Sequence, residues 1–117
     1  MPVLGTLTPG VPENVATVSA SGAAQTLADP TVASVTYMTL TANCTLTFPS
    51  AVRGKSLTLV LLQDATGSRL VTFPAAVKWP GAVAPTLSTA AGKVDYLAFV
   101  CADGATWAGF PSGLDLR

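Results

Sequence analysis

The most regular pattern of apolar and polar positions lies in residues 55–74. Residues 57–62 are apolar or Thr at every position, and residues 70–73 form a second, shorter run of the same kind. A polar break at residues 63–68 separates the two runs, and its Gly67 can adopt a positive φ. The pattern predicts a β-hairpin. Its first strand is expected to be an interior one, because neither of its faces is polar enough for solvent.

A helix is the competing interpretation of so many leucines. The first run is only about eight residues long and ends at a turn that contains Gly, whereas helices in proteins usually exceed that length. The strand interpretation is therefore favoured.

Further strands are predicted on both sides of this hairpin. Alternation of large apolar side chains is clearest in residues 32–41, 44–48 and 94–102. Asp103-Gly104 is a dipeptide that favours a tight hairpin turn, and a short last strand follows at residues 105–110. Nine Pro and ten Gly interrupt the chain too often for long helices. The sequence thus predicts an all-β fold, a single β-sandwich or jelly roll of about eight strands.

The same alternation predicts which side chains form the core. The expected core residues are Leu57, Leu59, Leu61, Val71, Phe73, Leu97 and Phe99. Cys44 and Cys101 lie in phase with large apolar neighbours, which favours two buried free thiols. A disulfide between them would require neighbouring strands, and the sequence leaves that open.

A length of 117 residues suits one domain. We predict an extended N-terminal arm at residues 1–13, a β-sandwich domain at 14–110 and a C-terminal tail at 111–117. Pro and Gly interrupt every short apolar run of the arm, so it is either a solvated tail or an extended segment that lies on a neighbouring subunit. Under the second alternative, the candidate capsid or subunit contacts are Val3, Leu4, Leu7 and Val11.

Composition narrows the function classes. Hydrophobic residues make up 50% of the chain and charged residues 10%, against roughly 25% charged residues in ordinary soluble domains. Either the exterior is unusually apolar, or much of it contacts other chains. The formal net charge is zero and no basic run is present, which argues against nucleic-acid binding. No membrane span and no signal peptide are predicted, so synthesis is expected in the cytoplasm.

Candidate catalytic residues are few. The chain has no His, which excludes a Ser–His or Cys–His dyad and an imidazole metal ligand. Asp64 and Asp103 occupy turn positions where Asp is favoured for local hydrogen bonds. Asp64 with Asp95 or Asp103 could form a carboxylate pair of the glycosidase kind, but the structural role is favoured. We therefore predict no catalytic, metal or cofactor site.

Trp79 and Trp107 are the candidate glycan platform, because sugar rings stack on aromatic faces. The alternative is that both residues close the ends of the core. Trp79 precedes a Pro-Gly turn and Trp107 follows an Asp-Gly turn. These settings favour the second interpretation, in which the indole N–H reaches a loop carbonyl.

Six short stretches, taken in order, carry a resemblance to a known family. They are residues 45–49 (TLTFP), 54–59 (GKSLTL), 63–69 (QDATGSR), 77–81 (VKWPG), 84–88 (APTLS) and 103–109 (DGATWAG). Together they resemble a small β-module that recurs in virion proteins of tailed bacteriophages, at the ends of tail-fibre-like proteins and as stand-alone head proteins. The resemblance covers roughly residues 37–110. It implies that residues 63–69 form the hairpin turn and that the module has no enzymatic role.

The resemblance implies a virion structural protein made in the host cytoplasm. The chain lacks the long shaft, coiled coil or repeats of a complete fibre. That departure favours a capsid decoration or cement protein, whose partners would be the major capsid protein and copies of itself in a trimer or other homo-oligomer. The alternative is a tail-tip or tail-fibre module that binds a host-surface glycan.

Overall fold

The structure is a computed structural model that describes residues 14–116. Its regular elements within that range are almost all strands. They are β1 (Val15–Val18), β2 (Ala24–Thr26), β3 (Val35–Leu40), β4 (Cys44–Thr47), β5 (Ser56–Gln63), β6 (Val71–Thr72), β7 (Val77–Lys78), a 3-10 turn (Pro80–Ala82), β8 (Val94–Val100) and β9 (Trp107–Gly113). The predicted all-β class is confirmed, with nine strands in the described range against about eight expected.

The strands form two sheets. The larger sheet has the order β1-β3-β5-β8-β9-β7, and the smaller one has the order β2-β4-β6. From β1 to β6, successive strands alternate between the two sheets. The parallel pairs are β1–β3, β2–β4, β3–β5 and β4–β6. The first half of the chain therefore winds as a parallel stack. β8 and β9 then extend the larger sheet with antiparallel pairs.

The hairpin predicted for residues 55–74 is wrong. β5 and β6 lie in different sheets, so the loop between them crosses from one sheet to the other. Both edges of β5 are already occupied, by β3 in parallel and by β8 in antiparallel register, and no edge is left for β6. β5 is thus interior with respect to its edges, while of its two faces, both predicted to be covered, the one that carries Leu57, Leu59 and Leu61 packs in the core.

The core lies between the two sheets. Of the predicted core residues, Leu57, Leu59, Leu61, Leu97 and Phe99 are buried, and Val71 and Phe73 are partly buried and pack against them. Cys44 and Cys101 are also buried there as free thiols. Burial raises the pKa of the Cys44 thiol, which keeps it protonated at neutral pH.

The hairpin predicted at Asp103-Gly104 joins β8 to β9, with a loop longer than two residues. The Asp103 carboxylate organises this loop. Its Oδ1 accepts hydrogen bonds from the backbone N–H groups of Ala105 and Thr106, each at 2.8 Å. Gly104 adopts a φ of 77°, where glycine carries no steric penalty.

The last strand continues beyond the predicted boundary at residue 110. β9 ends at Gly113 after an irregularity opposite Tyr96 and Leu97. The Leu116 N–H then donates a hydrogen bond to the Val94 carbonyl at 2.8 Å. Residues 111–113, predicted as part of a tail, thus belong to the larger sheet. The predicted arm, with Val3, Leu4, Leu7 and Val11, lies outside the described residues.

The larger sheet has one face toward the core and one away from the small sheet, which we call the outer face. Strand register places outward side chains of β1, β3, β5, β8 and β9 in common rows. On these five strands the outer face consists of Val15, Thr17, Val35, Tyr37, Thr39, Ser56, Thr58, Val60, Leu62, Val94, Tyr96, Ala98, Val100, Ala108 and Phe110. Lys78 of the edge strand β7, in register with Ala108, points to the same side.

Candidate functional site

The two Trp residues lie in one interior aromatic cluster. Trp107 is 1% exposed, and its indole N–H donates a hydrogen bond to the Pro49 carbonyl at 3.1 Å. Phe48 contacts the Trp107 ring with a centroid separation of 6.0 Å. A sugar must reach an open indole face to stack on it. Trp107 therefore does not fit the candidate glycan platform, and the favoured interpretation, a core residue whose N–H reaches a loop carbonyl, agrees with its contacts.

Trp79 is half-buried at the edge of the same cluster. Its ring packs edge-on against Phe73 and Phe99, with centroid separations of 5.0 and 5.7 Å. Gly109 makes room for this ring, since a Cβ there would lie 2.7 Å from Trp79 Cζ3. A larger residue at 109 would displace Trp79, so the ring is held by packing on β9.

The three aspartates considered as catalytic candidates are each committed to backbone groups. Asp64 accepts hydrogen bonds from the N–H groups of Thr66 and Gly67 and pairs with Arg69 at 3.0 Å. The Arg69 hydrogen bond lowers the pKa of Asp64. Asp103 is similarly bonded within its loop, which lowers its pKa to about 2. Both carboxylates hold turns, as the sequence predicted.

Asp95 is the buried member of the three. Its Oδ2 accepts a hydrogen bond from the Ser88 N–H at 2.7 Å, and its Oδ1 accepts one from the Asp115 N–H at 2.8 Å. Asp95 thereby fixes two loops to β8. Within residues 14–116, no group of three potential ligands is placed to hold a metal ion.

A surface groove of about 370 Å³ is the more promising candidate for a ligand site. It runs between β6 and the loop that follows the 3-10 turn. One wall is Arg69, Leu70, Val71, Thr72 and Phe73, and the other is Ala84, Pro85, Thr86, Leu87 and Thr89. Apolar side chains and Thr hydroxyls thus face the same space, the mixture typical of sites for small polar ligands.

Gln63 joins the two walls of the groove. Its side-chain amide donates to the Arg69 carbonyl at 2.8 Å and to the Ser88 carbonyl at 3.1 Å, and it accepts from the Arg69 N–H at 3.0 Å. The sequence interpretation placed Gln63 in a polar turn and missed this role. The signal was its phase, because Gln63 continues the inward row of Leu59 and Leu61 on β5.

Gly67 brings the first wall close to the second. A Cβ at Gly67 would lie 2.7 Å from the Ala91 nitrogen and 2.8 Å from the Thr89 carbonyl oxygen. Its φ of 71° also favours glycine. Beside it, the Ser68 N–H donates to that same Thr89 carbonyl at 2.6 Å. A backbone contact and the Gln63 side chain therefore hold the two walls of the groove together.

Comparison with known proteins adds the family. A family model described as "Putative phage tail fibre C-terminal domain" matches residues 8–107. No curated protein and no solved structure matches the chain. The described range contains no helix long and apolar enough to span a membrane. The matched range includes strands β1–β8 and the first residue of β9, so it covers both sheets. The chain therefore belongs to the family of phage tail fibre C-terminal domains and is a phage virion structural protein.

Proposed function

We propose that this chain is the terminal domain of a phage tail fibre and that it binds a host-surface glycan without chemically changing it. The observation that carries the first part is the family match over residues 8–107. The expectation of a capsid decoration protein depended on the missing shaft. A domain from the end of a fibre needs no shaft within it, so the missing shaft does not favour a capsid protein over a fibre domain.

The groove supports the second part of the proposal. A pyranose ring presents hydroxyl groups at its rim and apolar C–H groups on its faces. Thr72, Thr86 and Thr89 offer hydroxyls, while Phe73 and Leu87 offer apolar surface. The Gln63 bonds hold both walls in place, and a preformed site loses less conformational entropy when it binds a ligand.

Non-covalent binding is consistent with the state of the acidic residues. The carboxylates of Asp64, Asp95 and Asp103 already accept backbone hydrogen bonds. A glycosidase needs two carboxylates free to act on opposite sides of a bond. In this role the chain recognises the glycan and performs no catalytic step.

The glycan part is tested by blocking the groove. Thr86 is exposed, so Thr86→Trp should fill the groove and leave the core intact. Thr26→Trp is the matched control, since Thr26 is exposed on β2, at the opposite edge of the smaller sheet from β6. With purified host polysaccharide, we expect binding to be lost only in Thr86→Trp, at unchanged melting temperature. Binding that survives Thr86→Trp, or that is absent in the unmodified chain, would contradict the glycan site.

The fibre part is tested separately by locating the chain in purified particles. We expect immunogold labelling at the tail and a handful of copies per virion by quantitative mass spectrometry. Labelling over the head with hundreds of copies would instead support the decoration interpretation, with the major capsid protein as partner. This outcome is independent of the glycan experiment.

A further inference from the structure

We infer that the groove between β6 and residues 84–89 selects a sugar that carries an acetamido group and no negative charge. This selectivity rests on the proposed function, since it specifies which glycan the groove would bind. Two features of the groove carry it. The edge of β6 presents one backbone amide unit to the groove, and the guanidinium of Arg69 is already paired with Asp64.

The free edge of β6 faces the groove. β6 is the last strand in the order β2-β4-β6, and the groove is lined by residues 69–73 and 84–89. The Cys44 N–H donates to the Leu70 carbonyl at 2.8 Å, so that carbonyl points toward β4. Backbone carbonyls alternate in direction along a strand, and the N–H and C=O of one residue point to the same side. The N–H and C=O of Val71 therefore point away from β4 and into the groove.

The open part of this edge is short. The Ser68 N–H donates to the Thr89 carbonyl at 2.6 Å, so the two walls meet just before β6 begins. β6 has two residues, Val71 and Thr72, and Thr72 alternates back toward β4. Within residues 14–116, no backbone hydrogen bond joins Val71 to the loop across the groove. The edge of β6 thus offers one donor and one acceptor, enough for a single amide group and too little for a further strand.

An acetamido group complements this edge. It has one N–H, one C=O and a methyl group, so it can pair with the Val71 backbone as a peptide unit of an added strand does. Its methyl group then faces the apolar surface of Phe73 and Leu87, which are both partly buried in the groove. The exposed Thr72 and Thr86 remain available to the ring hydroxyls. A hexose without the acetamido group offers hydroxyls alone and cannot cover that apolar surface.

The charges beside the groove disfavour an acidic sugar. Arg69 is the ionisable residue among the described lining residues, and its Nε and Nη2 donate to the two carboxylate oxygens of Asp64 at 3.3 and 3.0 Å. The N–H groups of Thr66 and Gly67 hold the same carboxylate in place. The Arg69 hydrogen bond lowers the pKa of Asp64, so the pair stays ionised and carries no net charge at neutral pH. A sugar carboxylate would compete with Asp64 for Arg69 and be repelled by it.

NMR titration of the isotope-labelled chain tests the selectivity. The neutral probes are the methyl glycosides of N-acetylglucosamine and N-acetylgalactosamine, each compared with its parent hexose. N-acetylneuraminic acid is the acidic acetamido sugar. At least one neutral acetamido sugar should shift the Val71 N–H resonance, with half-saturation at a concentration at least about fivefold lower than for its parent hexose, because two hydrogen bonds are added. N-acetylneuraminic acid should bind no better than the parent hexose.

Val71→Pro tests the protein side of the contact. It removes the outward N–H and keeps the bonds to β4, and Pro is tolerated at such positions of edge strands. Ala24→Pro is the matched control on the opposite edge of the same sheet. There the Thr45 N–H donates to the Ala23 carbonyl at 2.9 Å, so the Ala24 N–H also points outward. Followed at the Thr72 N–H, the preference for the acetamido sugar should disappear in Val71→Pro and persist in Ala24→Pro.

A measurement on the unmodified chain covers the case in which Val71→Pro misfolds. In saturation transfer spectra, the acetyl methyl group should receive more saturation than the ring protons, because it faces Phe73 and Leu87. Weaker saturation of the methyl group would overturn the selectivity, and so would a preference that survives Val71→Pro.

Failure of the selectivity is distinguishable from failure of the glycan site. Equal binding of the acetamido sugars and their parent hexoses, or tighter binding of N-acetylneuraminic acid, would overturn the selectivity alone. So would binding of host polysaccharide that Thr86→Trp abolishes, when neither neutral acetamido sugar binds. A chain that binds neither the polysaccharide nor any of the sugars would overturn both.

Discussion

The two faces of the larger sheet are both largely apolar. Within the described residues the smaller sheet packs against only one of them. On β5, Leu59 points to the core and is fully buried, and its neighbour Val60 points to the outer face. The inner row is covered by the smaller sheet and the aromatic cluster. Val60 lies between Tyr37 and Tyr96, which are themselves more than one third exposed.

This contrast shows that hydrophobicity along a strand does not identify what covers it. Both rows of β5 satisfy the pattern of an interior strand, so their sequence predicts the same environment for both. The inner face contributes to the stability of the monomer. The outer face carries partly exposed side chains, Tyr37 and Tyr96 among them, and is expected to contribute less. Substitutions that separate these two effects test the comparison.

The largest effect is expected at the aromatic cluster on the inner side. Trp107→Ala should lower the free energy of unfolding by about 3–5 kcal/mol, because it removes a buried indole and leaves a cavity. It also leaves the Pro49 carbonyl without its partner. Urea denaturation of the purified variant measures the loss. A loss below about 1 kcal/mol would mean that the cluster does not hold the two sheets together.

The adjacent residues of β5 give the sharpest comparison. Leu59→Ala should lower the free energy of unfolding by about 2–5 kcal/mol, as expected for a fully buried Leu. Val60→Ala should cost about 1 kcal/mol, because fewer methyl groups are removed and the two flanking tyrosines can close over the site. Urea denaturation at low protein concentration measures both. Equal costs would mean that the two faces are equally well packed in the monomer.

A smaller loss is expected at the polar end of the inner row. Gln63→Ala should cost about 1–3 kcal/mol, because it leaves the backbone groups of Arg69 and Ser88 without partners near the core. Hydrogen exchange at Arg69 should accelerate. Gln63→Glu is the matched variant, since it keeps the acceptor for the Arg69 N–H and removes the donors. If neither variant changes exchange in the groove walls, Gln63 does not join them.

The smallest expected effect is a loss of folding stability at low pH, which should not involve the outer face. The pKa of Asp29 is lowered to about 2, first by the Lys55 hydrogen bond, and that of Asp103 is lowered to about 2 by the backbone N–H of Ala105. Both values lie below the ordinary 3.8. The stabilisation is therefore complete above about pH 4 and is lost as pH falls through 2.

Urea midpoints at pH 5, 3 and 2 should show this loss, and Asp103→Asn should reduce its slope. The outer face carries no carboxylate, so the cost of Val60→Ala in free energy of unfolding should be the same at pH 5 and pH 3. A clearly different cost at those two pH values would show that the loop carboxylates also affect the packing of the outer face.

Much of the local structure follows from residue order. The alternation in residues 44–48 and 94–102 predicted strands β4 and β8 and the burial of Leu97 and Phe99. Asp103 was assigned to a turn, and its hydrogen bonds lie within three residues of it. Such features depend on near neighbours along the chain, because side chains alternate in direction along any strand.

Other features depend on distant parts of the chain. Residues 63–69 contain every signal of a hairpin turn, yet they connect two sheets. The groove was likewise missed, because Gln63 joins Arg69 and Ser88 only after the loop folds back. The sequence left two roles open for Trp107, and its contacts with Phe48 and Pro49, distant along the chain, agree with the favoured core role.

The alternation of side chains by itself determined the all-β class and the core positions of Leu57, Leu59, Leu61, Leu97 and Phe99. Only the tertiary structure decided that β5 pairs with β3 and β8, and that β6 joins the other sheet. The physical reason is that backbone N–H and C=O groups are the same at every residue, so a strand's sequence specifies its faces but not its edges. Which strand occupies an edge depends on how the whole chain packs its apolar faces together.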